Sequence, residues 1–222
     1  MLDTILFLAF AVAYLALLAW GLAVRRRRGR WVPADLALLV VGGLVYDNAL
    51  LGLGRYVGQG ALLEGLNAGR YWLHAFLTPL LVVVAWDLLR RVDLGWARAR
   101  AAAVGAWVLA AALVVLEIVT VVAGLRLEPT RDHGVLSYTD AAGGGPPLMV
   151  VVVGVVLLAA GALLAWRRTW WWLLVGALVM VVGGSVPLPV ESGAVTNLAE
   201  LTLLVTVVAS IHRFAGPAAG RR

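Results

Sequence analysis

The chain has 222 residues, 63% of them hydrophobic and 14% charged, and its net charge of +6 is carried by arginine alone because lysine is absent. Soluble domains hold about 45–50% apolar and about 25% charged residues, and so short a chain cannot shield this much apolar helix, which excludes a soluble globular class. Cysteine is absent, which removes disulfides and thiolate chemistry.

The first apolar run, LFLAFAVAYLALLAWGLAV (6–24), has about the 20 residues needed to cross a ~30 Å hydrocarbon core. It lacks a basic leader and an A-x-A cleavage site and runs into RRRRGR, so it reads as a retained helix over 5–24. A second helix is expected over 34–54, opened by Pro33 and Asp35. GRYVGQGALLEGLNAG (54–69) reads as a loop, and the third helix follows over 69–89. RRVDLGWARAR (90–100) leads to a fourth helix over 100–124. In the 125–147 loop, RDHGVLSYTD is polar enough to fold over the mouth of the bundle. A fifth helix is expected over 147–166, a sixth over 169–186 and a seventh over 194–214. TWWW (169–172) reads as an interfacial aromatic belt opening the sixth.

The expected fold is therefore an all-α polytopic integral membrane protein, with residues 1–222 forming a single seven-helix transmembrane domain and an outer loop at 125–147. Seven spans put the termini on opposite sides, so arginines can be assigned by side. Fourteen fall on the side of the first, third and fifth loops and the C-terminus; Arg55, Arg70, Arg126 and Arg131 fall on the other. The positive-inside rule then places the N-terminus outside and the C-terminus in the cytoplasm, as expected of a multi-pass protein of the cell membrane. Arginines placed this way flank spans and form no patch with interleaved aromatics, so nucleic acid is not an expected partner.

Polar side chains inside spans are costly and usually face a bundle interior or a water cavity. From the ~1.5 Å rise per helical residue, Asp47, His74, Glu117 and Glu200 all fall about 7–11 Å below the outer boundary. Arg70 lies one turn nearer the surface than His74, and Asn48 and Asn197 lie close to the layer. Asp47, Asn48, Arg70, His74, Glu117, Asn197 and Glu200 are thus the candidate ligand-binding residues. Arg70, His74 and Thr78 recur every four residues, so they share one face of the third helix and should bring Arg70 within reach of Asp47 or Glu200. An interhelical hydrogen-bond network serving adhesion alone is the competing reading of this layer. Near the other end, Asp87 has Arg90 and Arg91 three and four residues on, the spacing of a snorkelling end pair. His212 beside Arg213 reads as interfacial, and His133 has no partner visible in the sequence.

With one histidine well inside the spans, no zinc set is supported and paired haem ligation finds no second histidine at matching depth. No G-x-S-x-G elbow, P-loop or dinucleotide fingerprint is present. No catalytic residue, metal or cofactor is assigned.

Seven spans, an outside N-terminus and Arg70, Tyr71, Thr78, Pro79, Leu80 and Leu81 in the third helix resemble the microbial rhodopsin fold. Glu200 matches the outer glutamate that proton pumps of that family often carry in the seventh helix. The position of the retinal-binding lysine holds His212, Leu73 stands where the carboxylate proton acceptor is expected, and His74 where a retinal-packing tryptophan is expected. The resemblance implies the architecture; without lysine no Schiff base forms, so retinal is not expected as a cofactor.

Three functions compete on these residues. One is a non-enzymatic protein with an outward-side polar pocket serving transport or sensing of a small molecule or proton. The alternative is an intramembrane enzyme acting on a lipid or isoprenoid, or a structural subunit held together by the polar layer. The expected partners are the lipid bilayer and a small or lipid-like ligand. Small-residue faces such as GALLA (161–165) serve packing within one chain or between copies, which leaves a homo-oligomer open.

Overall fold

The computed structural model describes residues 2–142, 147–185 and 193–215. Eight helices and one hairpin follow in order: α1 (Leu2–Arg28), α2 (Ala37–Val57), α3 (Ala61–Leu77), α4 (Leu80–Leu89), α5 (Arg100–Thr120), β1 (Leu127–Asp132), β2 (Val135–Asp140), α6 (Leu148–Arg168), α7 (Trp172–Ser185) and α8 (Ala194–Ala215). Among the described residues, six helical stretches are long and apolar enough to cross a membrane: 2–28, 33–57, 61–89, 100–124, 148–168 and 194–215; α7 is apolar but shorter. The molecule is a multi-pass α-helical membrane protein. On α5, Val104, Val108, Val115 and Val119 recur at helical spacing and stay exposed, as a lipid-facing stripe requires.

The third expected helix differs in both length and continuity. It begins at Ala61, eight residues before Gly69, and two of the glycines that suggest a loop, Gly65 and Gly69, are carried inside the helix. Leu63 supplies the reason: it is fully buried against Leu50, Leu136 and Tyr138. The helix then breaks at Pro79, which lacks the N–H needed to continue the α-helical ladder. Thr78 N still bonds His74 O, but Leu81 N and Val82 N reach back only three residues, to Thr78 O and Pro79 O, each at 3.1 Å.

The sixth expected helix is shorter than anticipated, because α6 ends at Arg168 with Thr169 in a left-handed conformation (φ 53). The chain turns there before α7 starts at Trp172. Trp166, Trp171 and Trp172 are exposed around this turn. Trp170 is drawn inward, where its indole N–H donates to Ser210 Oγ at 2.8 Å. α7 packs closely on α6: a Cβ at Gly161 would lie 2.6 Å from Leu174 Cα, so only glycine permits this approach. The small-residue face around 161–165 is thus used within the chain at that position.

The core is continuous through the bundle, with Tyr14, Leu88, Met149, Leu157, Leu164, Leu173 and Leu204 essentially inaccessible. At one end of the bundle, buried ion pairs tie the loops together. Arg28 pairs with Asp35, both side chains nearly inaccessible, and also donates to Ala215 O at 3.1 Å. Asp87 accepts from Arg90 Nε at 2.5 Å, Arg91 Nη2 at 2.8 Å and the Ala34 amide at 3.2 Å. The expected end pair is present, but Asp87 is fully buried and does not snorkel. Its carboxylate is needed inside, where it also holds the turn that opens α2.

At the other end, the loop after α5 forms an antiparallel hairpin, with Leu127 opposite Asp140 and Asp132 opposite Val135. His133 and Gly134 at its tip both have positive φ, 45 and 90, the backbone of a two-residue turn matched to strand twist. His133 pairs there with Asp132 at 2.6 Å. The hairpin docks on α1, α2 and α3: Thr4 Oγ1 donates to Gly134 O at 3.0 Å, and the Asp140 amide donates to Tyr71 Oη at 3.1 Å. A Cβ at Gly54 would meet Leu136 O at 2.1 Å, so only glycine permits the last turn of α2 to approach the hairpin this closely.

Candidate functional site

Between α2, α3, α4, α6, α7 and α8 lies a cavity of about 120 Å³. Water needs only about 10–15 Å³ of such space, so the cavity has room for several waters or part of a small ligand. Its walls are largely apolar, with Val40, Leu44, Leu77, Leu157, Met180 and Leu204 among them. Toward the hairpin end the lining changes to Asp47 from α2, Arg70 and His74 from α3, and Glu200 from α8.

α2 and α3 run antiparallel across a short turn, which brings Asp47 level with Arg70. Arg70 Nε donates to Asp47 Oδ1 at 2.6 Å, while its Nη1 donates to Asn67 Oδ1 at 3.0 Å. Asn67, fully buried one turn before Arg70, is fixed in turn by a 2.8 Å bond from its amide nitrogen to Leu63 O. Arg70 is therefore oriented from both sides. One turn on, His74 is accessible from the cavity, and its Nδ1 lies 3.2 Å from Thr78 Oγ1. Glu200 faces the same space, and among the described residues no group hydrogen-bonds its carboxylate.

Three of the sequence candidates lie outside this lining. Glu117 is on α5, a helix that contributes nothing to the cavity wall. Asn48 follows Asp47 by one residue and so points about 100° away. It is fully buried, and its amide nitrogen donates to Leu44 O at 3.0 Å. Asn197 likewise bonds back to Gly193 O at 3.1 Å, and its own carbonyl accepts from Tyr14 Oη at 3.4 Å. The side-chain oxygens of Asn48 and Asn197 are buried without a hydrogen-bond partner.

Sequence reasoning missed Asn67, because residues 54–69 read as a loop. The signal was its i−3 spacing from Arg70 on what proves to be continuous helix. It also missed the apolar wall from α6 and α7, whose residues look like any span. No three His, Asp or Glu side chains among the described residues converge closely enough to hold a metal ion.

The arrangement can hold an amphiphile with its polar end at Arg70, Asp47, His74 and Glu200 and its apolar body among the aliphatic side chains. It can equally hold a short chain of waters between ionisable groups. Comparisons with protein-family models, curated proteins and solved structures find no match for this chain.

Proposed function

We propose that the protein is a non-enzymatic multi-pass protein of the cell membrane that binds a small, lipid-like molecule within the bilayer, for transport or sensing. The observation that carries this reading is the composition of the cavity wall: aliphatic along most of its length, with four ionisable side chains at one end. Ligand sites typically combine an apolar wall with a few convergent polar groups that fix orientation. Adhesion between helices would not require the open space.

The proposal includes seven crossings in one domain, with the N-terminus outside, an architecture of the microbial rhodopsin kind that uses no retinal. α6 ends where Arg168 pairs with Asp93, whereas Gly193, just before α8, lies close to Phe7, near the hairpin. The segment containing α7 must span the distance between these two ends, which supports the seventh crossing. The arginine-rich loops meet at one end through Arg28–Asp35 and Asp93–Arg168, which supports the assignment of that end to the cytoplasm.

Mass analysis of small molecules extracted from the purified, detergent-solubilised protein tests the reading. An amphiphile enriched with the wild type and lost with Leu77→Trp, which fills the cavity, is the expected result. Equal extracts from both proteins, with the variant folded, would leave the cavity without a ligand.

A further inference from the structure

A second concave surface lies at the end of the bundle away from the hairpin. It is a cleft of about 420 Å³ lined by Arg30, Trp31, Val32, Pro33, Arg90, Arg91 and Arg98. Three separate segments supply its guanidiniums: the turn before α2, the end of α4, and the short turn before α5. Buried Asp87 fixes Arg90 and Arg91 from behind. Arg98 donates to Arg90 O at 3.3 Å and to Asp93 Oδ1 at 2.6 Å. Asp93 is itself shared with Arg168. Five guanidiniums therefore stand against two carboxylates. Among the described residues, the Arg30 guanidinium has no partner at all.

A preorganised excess of guanidinium forks matches the planar, bidentate geometry of a phosphate group. The level of the cleft adds a second observation. Trp31 in its wall and Trp96 beside it are both more than half exposed, at 54% and 57%. Exposed tryptophans settle at the headgroup level of a bilayer, and basic pockets at that level receive anionic headgroups.

We propose that this cleft is a phosphate-binding site, occupied by the phosphate of an anionic lipid headgroup, with Arg30 and Arg98 closing on it from opposite sides and Arg90 and Arg91 at its base. The site is separate from the intramembrane cavity and does not depend on the reading given to it.

The test is thermal melting of the full-length protein in detergent, titrated with short-chain phosphatidylglycerol, short-chain phosphatidylcholine or inorganic phosphate. Phosphatidylglycerol should raise the melting temperature where phosphatidylcholine does not. Arg30→Gln should weaken that apparent affinity about tenfold, the usual value of one charge-assisted contact. Arg25→Gln removes the same charge from an exposed position outside the cleft and should leave the affinity unchanged. Should Arg30→Gln fold poorly, Arg98→Gln, whose side chain is 58% exposed, takes its place. Inorganic phosphate acting as strongly as the lipid would retain the phosphate site but replace the headgroup with a soluble anion. Equal shifts from both lipids, or equal losses in Arg30→Gln and Arg25→Gln, would overturn the proposal.

Discussion

Arg70 and Asp47 form an ion pair across α3 and α2 at 2.6 Å, at the polar end of a cavity walled mainly by aliphatic side chains. Their side chains remain 19% and 22% accessible, so the pair is partly hydrated and below the 3–5 kcal/mol associated with breaking a fully buried pair. Arg70→Ala should cost about 2–3 kcal/mol, as expected for a hydrogen bond between charged groups. The double variant Asp47→Asn/Arg70→Ala should lose less than the sum of its parts, because no orphaned carboxylate remains. Reversible unfolding in detergent reads both, and additive losses would show that the two side chains do not support one another.

Thr78→Val should cost less than Arg70→Ala, about 1 kcal/mol or below. The lost interaction joins two neutral-capable groups one turn apart on the same helix, His74 and Thr78, and is open to the cavity. A loss matching that of Arg70→Ala in the same unfolding assay would contradict the ranking.

Two of the aspartates at the arginine-rich end, Asp87 and Asp93, should behave differently. Asp87 is inaccessible and engages Arg90, Arg91 and the Ala34 amide, so Asp87→Ala should cost about 3–5 kcal/mol or abolish folded yield. Asp93 is 69% exposed although it pairs with two arginines, and Asp93→Ala should cost about 0–1 kcal/mol. Monodisperse yield by size-exclusion chromatography separates the two outcomes; equal behaviour would refute the role assigned to burial.

Gly161→Ala places a methyl against the α7 backbone at Leu174, where no flexible side chain can move aside. The expected cost is about 1–3 kcal/mol, typical of overpacking. Gly65→Ala on α3 meets nothing within 4 Å and should be stabilising by about 0.5–1 kcal/mol through helix propensity. Paired melting curves check the signs, and a neutral Gly161→Ala would mean that α6 and α7 can separate without cost.

Topology can be read by labelling, since the chain has no cysteine of its own. Glu128→Cys on β1 and Ala99→Cys before α5 occupy exposed positions. A membrane-impermeant thiol reagent applied to intact cells should reach position 128 and not position 99. The reverse pattern would invert the proposed orientation.

Long apolar runs and arginine clusters make the spans legible in the amino-acid sequence itself. Depth along each span is legible too, since helical rise converts residue number directly into distance. Depth is only one of two coordinates, however. Asp47, Arg70, His74 and Glu200 line one cavity, whereas Glu117, Asn48 and Asn197, expected at the same level, do not. Direction depends on how neighbouring helices pack, and this chain is apolar on most faces, so little in its pattern fixes rotation. The start of α3 is hidden by Gly60, Gly65 and Gly69, whose local preference is overruled by the burial of Leu63. The hairpin is hidden in a different way. Its His133–Gly134 turn signal is present between alternating residues, but the surrounding length suggests a loop.

That hairpin bears on how the chain is assembled. Its docking partners, Thr4, Phe7, Leu50, Leu51, Gly54, Leu63 and Tyr71, all precede it in the sequence. A ribosome delivers chain from the N-terminus, so the receiving surface on α1, α2 and α3 exists before residues 127–140 are made. The hairpin can therefore latch the first half of the molecule while α6, α7 and α8 are still being synthesised. A chain truncated after residue 142 and released from the ribosome should already resist proteolysis at the hairpin.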